Sequence, residues 1–79
     1  MYTVYVLEDN ERKYYKGVTN NLKRRLTEHV GGHSKTTSRM SGIKVVYTEV
    51  YDNFNEARKR ELYLKSAAGR RFLKKKLGP

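Results

Sequence analysis

No cysteine occurs in these 79 residues, which excludes disulfides and thiolate metal sites as sources of stability. A chain this short must therefore hold itself together with one economical core. No apolar run approaches the roughly 20 residues needed to span a bilayer. The opening "MYTVYVLEDN" lacks the basic n-region and the cleavage site of a secretory signal. Together these absences point to the cytoplasm. Linkers, internal repeats and low-complexity stretches are missing too, so residues 1–79 read as a single domain.

Acidic residues are scarce: eight Asp and Glu face eighteen Lys and Arg, a formal net charge of +10. Such self-repulsion is relieved by an anionic partner. Nucleic acid leads, because each cation placed on a phosphate releases a counterion. A membrane surface is disfavoured, since no segment joins a broad apolar face to a basic one. An acidic protein partner is the least favoured reading.

What is present is aromatic and β-branched. Residues are 37% hydrophobic, and seven tyrosines and two phenylalanines supply much of the bulk. "YTVYVLE" alternates as a strand does over Tyr2 to Glu8. "YYKGVT" reads as a second strand, weakened by Gly17, and the polar "EDNERK" between them makes a hairpin. A turn centred on Asn10 sets Tyr5 opposite Tyr15 on one face, a match that a one-residue slip breaks. "NLKRRLTEHV" carries Leu22, Leu26 and Val30 at helical spacing, with Asn20 or Asn21 as N-cap and Gly31-Gly32 as the stop.

Beyond the polar loop "HSKTTSRMSG", "IKVVYTEVY" is the third strand. Its alternation sets Val45, Tyr47 and Glu49 on one face and Val46, Thr48 and Val50 on the other. A long helix follows up to Gly69, with Asn53 and Glu56 at capping-box spacing. "RRFLKKKLGP" makes one more short helix. The expected fold is α+β: a small three-stranded, mainly antiparallel sheet flanked by helices, in the order β-β-α-β-α-α.

Glu61 is the first chemical clue. It lies inside an apolar stripe of Phe54, Ala57, Leu64 and Ala68. A carboxylate aimed at the core is costly unless it is paired, bound to a metal or opened to a cleft. An ion pair with Lys65 or Arg58 is one solution, and a functional cleft is the other. Arg25 and His29, one helical turn apart, supply a phosphate clamp and a group that moves a proton near neutral pH. Read alone, they are better explained as a solvated helix face and a helix-end residue that favours the dipole. Phosphate loops, metalloprotease histidine pairs and serine or cysteine triads are all missing.

Taken in order, "TVYVL", "YYKG", "NLKRRLTEH" and "EARKRELYLK" resemble the GIY-YIG nuclease superfamily, especially its small stand-alone bacterial members. Thr3-Val4-Tyr5 occupies the first signature triplet and Tyr15-Lys16-Gly17 the second. The resemblance covers essentially the whole chain and implies a metal-dependent DNA endonuclease of low sequence specificity, acting in repair or recombination. By this analogy Glu61 binds one divalent cation, Mg²⁺ or Mn²⁺. Tyr5 is the favoured general base, with Tyr15 and His29 as alternatives for that role, and Arg25 stabilises the developing charge.

Contacts to DNA, possible as a single strand or a branched form, fall to Lys23, Arg24, Lys35, Arg39, Arg70 and Arg71. The alternative is a catalytically weak or inactive nucleic-acid-binding module of the same fold. Thr3, Val4 and Lys16 replace the family's Gly, Ile and Ile without removing a reactive group. The asparagine that many relatives place beyond the metal glutamate has no counterpart after Asn55.

Overall fold

Strand β1, Tyr2–Glu8, is buried without interruption from Val4 to Leu7. That pattern belongs to a strand covered on both faces. In the computed structural model, which describes residues 1–30 and 42–78, β1 is indeed central. It pairs antiparallel with β2, Tyr14–Thr19, on one side and β3, Lys44–Tyr51, on the other, giving the order β2-β1-β3. Helices α1 (Leu22–Val30), α2 (Phe54–Lys65) and α3 (Ala67–Leu77) complete the α+β fold. Val4 and Val6 pack with Ala57, Leu64 and Leu73 into a core flanked by Tyr47, Tyr51 and Phe72. Among the described residues no helix is long and apolar enough to cross a membrane.

The hairpin closes one residue later than its polar sequence suggests. Asp9 and Lys13 bond through their backbones, and Asp9 Oδ1 accepts from the amides of Glu11 and Lys13. Arg12 completes the loop in the left-handed region at φ 62°. The centre is thus Glu11 rather than Asn10, so Tyr5 pairs with Gly17 and Leu7 with Tyr15. Moving the centre by one shifts each partner by two, which preserves the face. Tyr5 and Tyr15 therefore remain diagonal neighbours with ring centroids 6.1 Å apart.

A bulge between Val6 and Leu7 alters β3. Leu7 pairs with Val45 and Val6 with Tyr47, leaving Val46 as the extra residue. Val45 and Tyr47 consequently fall on opposite faces, whereas Val46 packs on the core beside Tyr47. Glu49 does share the face of Tyr47. It accepts from both the Tyr47 and Tyr51 hydroxyls, and Arg60 of α2 grips it with Nε at 2.9 Å and Nη2 at 3.1 Å. Burial alone raises the carboxyl pKa, but the Tyr47, Tyr51 and Arg60 hydrogen bonds outweigh it and hold the group below the ordinary value. This knot anchors α2 to β3 one residue before Glu61.

The long helix expected up to Gly69 is two helices. Ser66 ends α2 and caps α3, its hydroxyl accepting from the Gly69 amide at 3.2 Å. Gly69 thus lies in the first turn of α3, where a Cβ would sit 1.9 Å from the Tyr63 carbonyl oxygen. Breaking the helix there also narrows the buried stripe of α2 to Ala57, Glu61 and Leu64. Phe54 is half-exposed and edges onto Tyr2, and Ala68 faces solvent.

Candidate active site

Gly17 shapes the site. It stands opposite Tyr5 on the edge strand β2, and a Cβ there would lie 2.6 Å from the Tyr5 hydroxyl oxygen. The missing side chain lets the Tyr5 ring lie across β2 and bring its hydroxyl toward the sheet edge. The feature that weakens Gly17 as a strand residue is what the phenol needs.

Helix α1 closes the far side of that phenol. The Asn21 side chain caps the helix, accepting from the Arg24 amide at 3.0 Å. Two turns on, His29 is 1% exposed, and its Nε2 lies 3.0 Å from the Tyr5 hydroxyl. The Tyr15 ring meets the imidazole edge-on at 4.9 Å. Burial, with the nearby Arg25 charge, lowers the His29 pKa against a partial counterweight from Glu28. A neutral imidazole is therefore the resting form at neutral pH.

Arg25 points to the same place. Tyr5 first, then Glu28 and Tyr15, favour its charged form and raise its pKa further. Glu28 fixes the side chain through a 3.0 Å contact. Burial pushes the Tyr5 phenol up to about 12, outweighing the opposing hydrogen bond from Arg25. Tyr5 is thus an O–H group at neutral pH, not a standing phenolate.

Glu61 reaches the site from α2. Tyr5, Tyr15, Gly17, Arg25, Arg58 and Glu61 line one open pocket of about 260 Å³, with Val18 and Phe54 at its margin. The ion pairs foreseen for Glu61 both form: Arg58 bonds Oε1 and Lys65 sits 3.2 Å from Oε2. The carboxylate is 8% exposed and its partners about half exposed. Those cations can turn to another anion without unpacking the core. Glu61 also suits a Mg²⁺ ion, which keeps most of its waters and takes one or two protein carboxylates beside substrate phosphate oxygens.

Four of the five predicted catalytic positions, Tyr5, Tyr15, Arg25 and Glu61, share the pocket wall, and His29 stands behind Tyr5. Of the predicted DNA contacts, Lys23 and Arg24 are exposed on α1, and Arg70 and Arg71 on α3. Lys35 and Arg39, like the Gly31-Gly32 stop and the "GHSKTTSR" loop, lie outside the described residues. Two contributors escaped the sequence reading as members of the site. The sequence offers Arg58 only as an ion-pair partner of Glu61, and Glu28, three residues after Arg25, is the anchor that its spacing suggests.

The comparisons with known proteins agree with this geometry. Residues 1–76 match the family model of the GIY-YIG catalytic domain. A UPF0213 protein of Clostridium perfringens is 40% identical over 63 residues, covering 78% of this chain and 68% of that protein. A UPF0213 protein of Halobacterium salinarum is 36% identical, covering 82% of this chain and 86% of its own length. The solution NMR structure of a UPF0213 protein from Bacillus halodurans superposes with a TM-score of 0.60 at 28% identity, covering 100% of this chain and 89% of that one. With family signature, relatives and fold all in agreement, the chain belongs to the GIY-YIG family.

Proposed function

We propose that this protein is a divalent-cation-dependent endonuclease that hydrolyses phosphodiester bonds in DNA with little sequence specificity, in repair or recombination. The observation that carries the reading is the single pocket joining two phenols, an arginine and a carboxylate, with a neutral histidine behind one phenol. Among the described residues nothing else combines an anion clamp, a hard oxygen ligand and a route for a proton.

Glu61 would hold the cation, which supplies Lewis-acid stabilisation of the phosphoryl oxygens when bound. Arg25, oriented by Glu28, would neutralise the charge that builds on those oxygens. With its phenol protonated, Tyr5 acts as base only by exchange. It accepts the proton of the attacking water as its own proton passes to His29 Nε2, 3.0 Å away. The new oxygen–phosphorus bond forms, the bond to the leaving oxygen breaks, and that oxygen takes a proton from solvent. Tyr15, packed on His29 and sharing the pocket wall with Arg25, positions the water or the phosphate.

Purified protein should nick DNA when Mg²⁺ or Mn²⁺ is added and stop when a chelator removes it. A panel of duplex, single-stranded, flap and branched substrates reads this directly. Cleavage unaffected by chelation contradicts the cation's role. Binding without cleavage on every substrate and with either cation supports the second reading, a binding module of the same fold. The engagement of both Glu61 oxygens by Arg58 and Lys65 is the observation that favours it.

The exchange step also sets a pH dependence. His29 must be neutral to receive the proton, and its pKa lies below the ordinary 6.5. The rate should therefore hold steady around neutrality and fall on the acid side with a midpoint under that value. A midpoint above it would remove His29 as the acceptor. The same shift makes neutral His29 stabilise the fold above pH 6.5, a contribution lost as pH falls through the lowered value.

A further inference from the structure

Beyond the pocket, the surface continues in one direction. Tyr15 forms part of the pocket wall and also borders a second hollow lined by Tyr14, Lys16, Lys65 and Arg70. A third hollow shares Tyr14, Lys16 and Arg70 with the second and extends to Leu73 and Lys74 of α3. The three form a continuous run along β2, from the Glu61–Lys65 pair to the C-terminal half of α3. In the sequence Lys16 stands only as a replacement in the second signature triplet, and Tyr14 precedes that triplet. Neither belongs to the pocket described above.

Resting on the nuclease reading, we propose that this run is a track for a single-stranded stretch of the DNA substrate, in which Tyr14 stacks a base while Lys16, Arg70 and Lys74 hold phosphates. Tyr14 is 43% exposed although it is a large aromatic residue on a strand. Lys16 lies over its ring at 5.9 Å. Cations and an exposed ring in alternation are what sequence-tolerant binding of unpaired bases uses, whereas a duplex keeps its base faces stacked away.

Charge points the same way. Burial and the neighbouring Arg70 and Lys65 charges lower the pKa of Lys16. Cations crowded together in this way are relieved by an incoming phosphate. Leu73, buried on α3, gives the third hollow an apolar side against which a base or sugar can rest.

The test is equilibrium binding of the full chain to fluorescent oligonucleotides with a chelator present, so that nothing is cut. A single strand and a duplex of equal length are compared. Tyr14→Ala should weaken single-strand binding by roughly tenfold, the loss of one stacked base, and change duplex binding far less, whereas Tyr14→Phe keeps both. Lys16→Ala and Arg70→Ala should each reduce the salt slope for the single strand by about 0.7. These two variants also carry the test if Tyr14→Ala proves unstable. Equal losses on both substrates, or unchanged single-strand affinity and slope, overturn the track. A wild-type protein that cuts DNA while the track variants bind as it does refutes this inference alone. A wild-type protein that binds neither substrate removes the nuclease reading with it.

Discussion

Glu61→Gln is expected to lower cation-dependent cleavage by roughly a thousandfold, equivalent to about 4 kcal/mol of transition-state stabilisation, while DNA binding persists. The substitution keeps the shape and removes the charge that would hold the cation. Because Glu61 also partners Arg58 and Lys65, its loss leaves two more cations for phosphate and raises the formal net charge by one from +10. Binding should hold or tighten as cleavage collapses. That opposed pair of effects separates a catalytic carboxylate from a structural one, whose loss would lower folding, binding and cleavage together. Single-turnover cleavage and chelated binding on the same preparations measure both. Cleavage within about tenfold of wild type, a change of about 1.4 kcal/mol, would take Glu61 out of the machinery.

The second large effect is on stability. Gly69→Ala is expected to destabilise the fold by about 3 kcal/mol, the upper end for an overpacked site, and to lower the melting temperature by roughly 15 °C. Helix propensity alone argues the other way, since alanine is worth about 1 kcal/mol more than glycine within a helix. The junction of α2 and α3 decides the sign. An alanine Cβ would lie 1.9 Å from the Tyr63 carbonyl oxygen and 2.5 Å from Leu64 Cα, and backbone atoms cannot rotate aside as a side chain can. Relief requires α3 to move away from α2, disturbing Leu73 against Leu64 and the Ser66 cap. Thermal melts followed by circular dichroism measure the shift. A fall of less than about 4 °C, near 1 kcal/mol, would show that the junction yields easily.

Gly17 illustrates the same principle within the site. As a strand residue it looks like a weakness, yet its value is the space it leaves for the Tyr5 ring. Sequence pattern registers the cost of a glycine and is silent about what occupies the vacated volume. The Gly69 boundary has a parallel origin. A glycine after a periodic stretch is the ordinary sign of a helix end, but the helix actually breaks at Ser66, which satisfies backbone groups on both sides of the corner.

The site residues were legible because their spacing is local or ordered. Arg25 and His29 are one turn apart, and Glu61 interrupts the apolar stripe of its own helix. Reading their roles required the family pattern. The 3.0 Å approach of Tyr5 to His29, on which the proposed exchange rests, could not be read from the sequence, because the two groups are 24 residues apart and meet only when both are buried.

The sequence by itself determined the six elements and their order, the basic surface and the cap at Asn53, and narrowed the first cap to Asn20 or Asn21, since alternation, helical period and capping act over a few neighbouring residues. Only the tertiary structure decided the hairpin register, the β3 bulge, the corner at Ser66 and the meeting of α2 with the edge of β2. Each depends on which surfaces touch. A chain's periodicity tells which face of an element turns inward, but not what that face will meet.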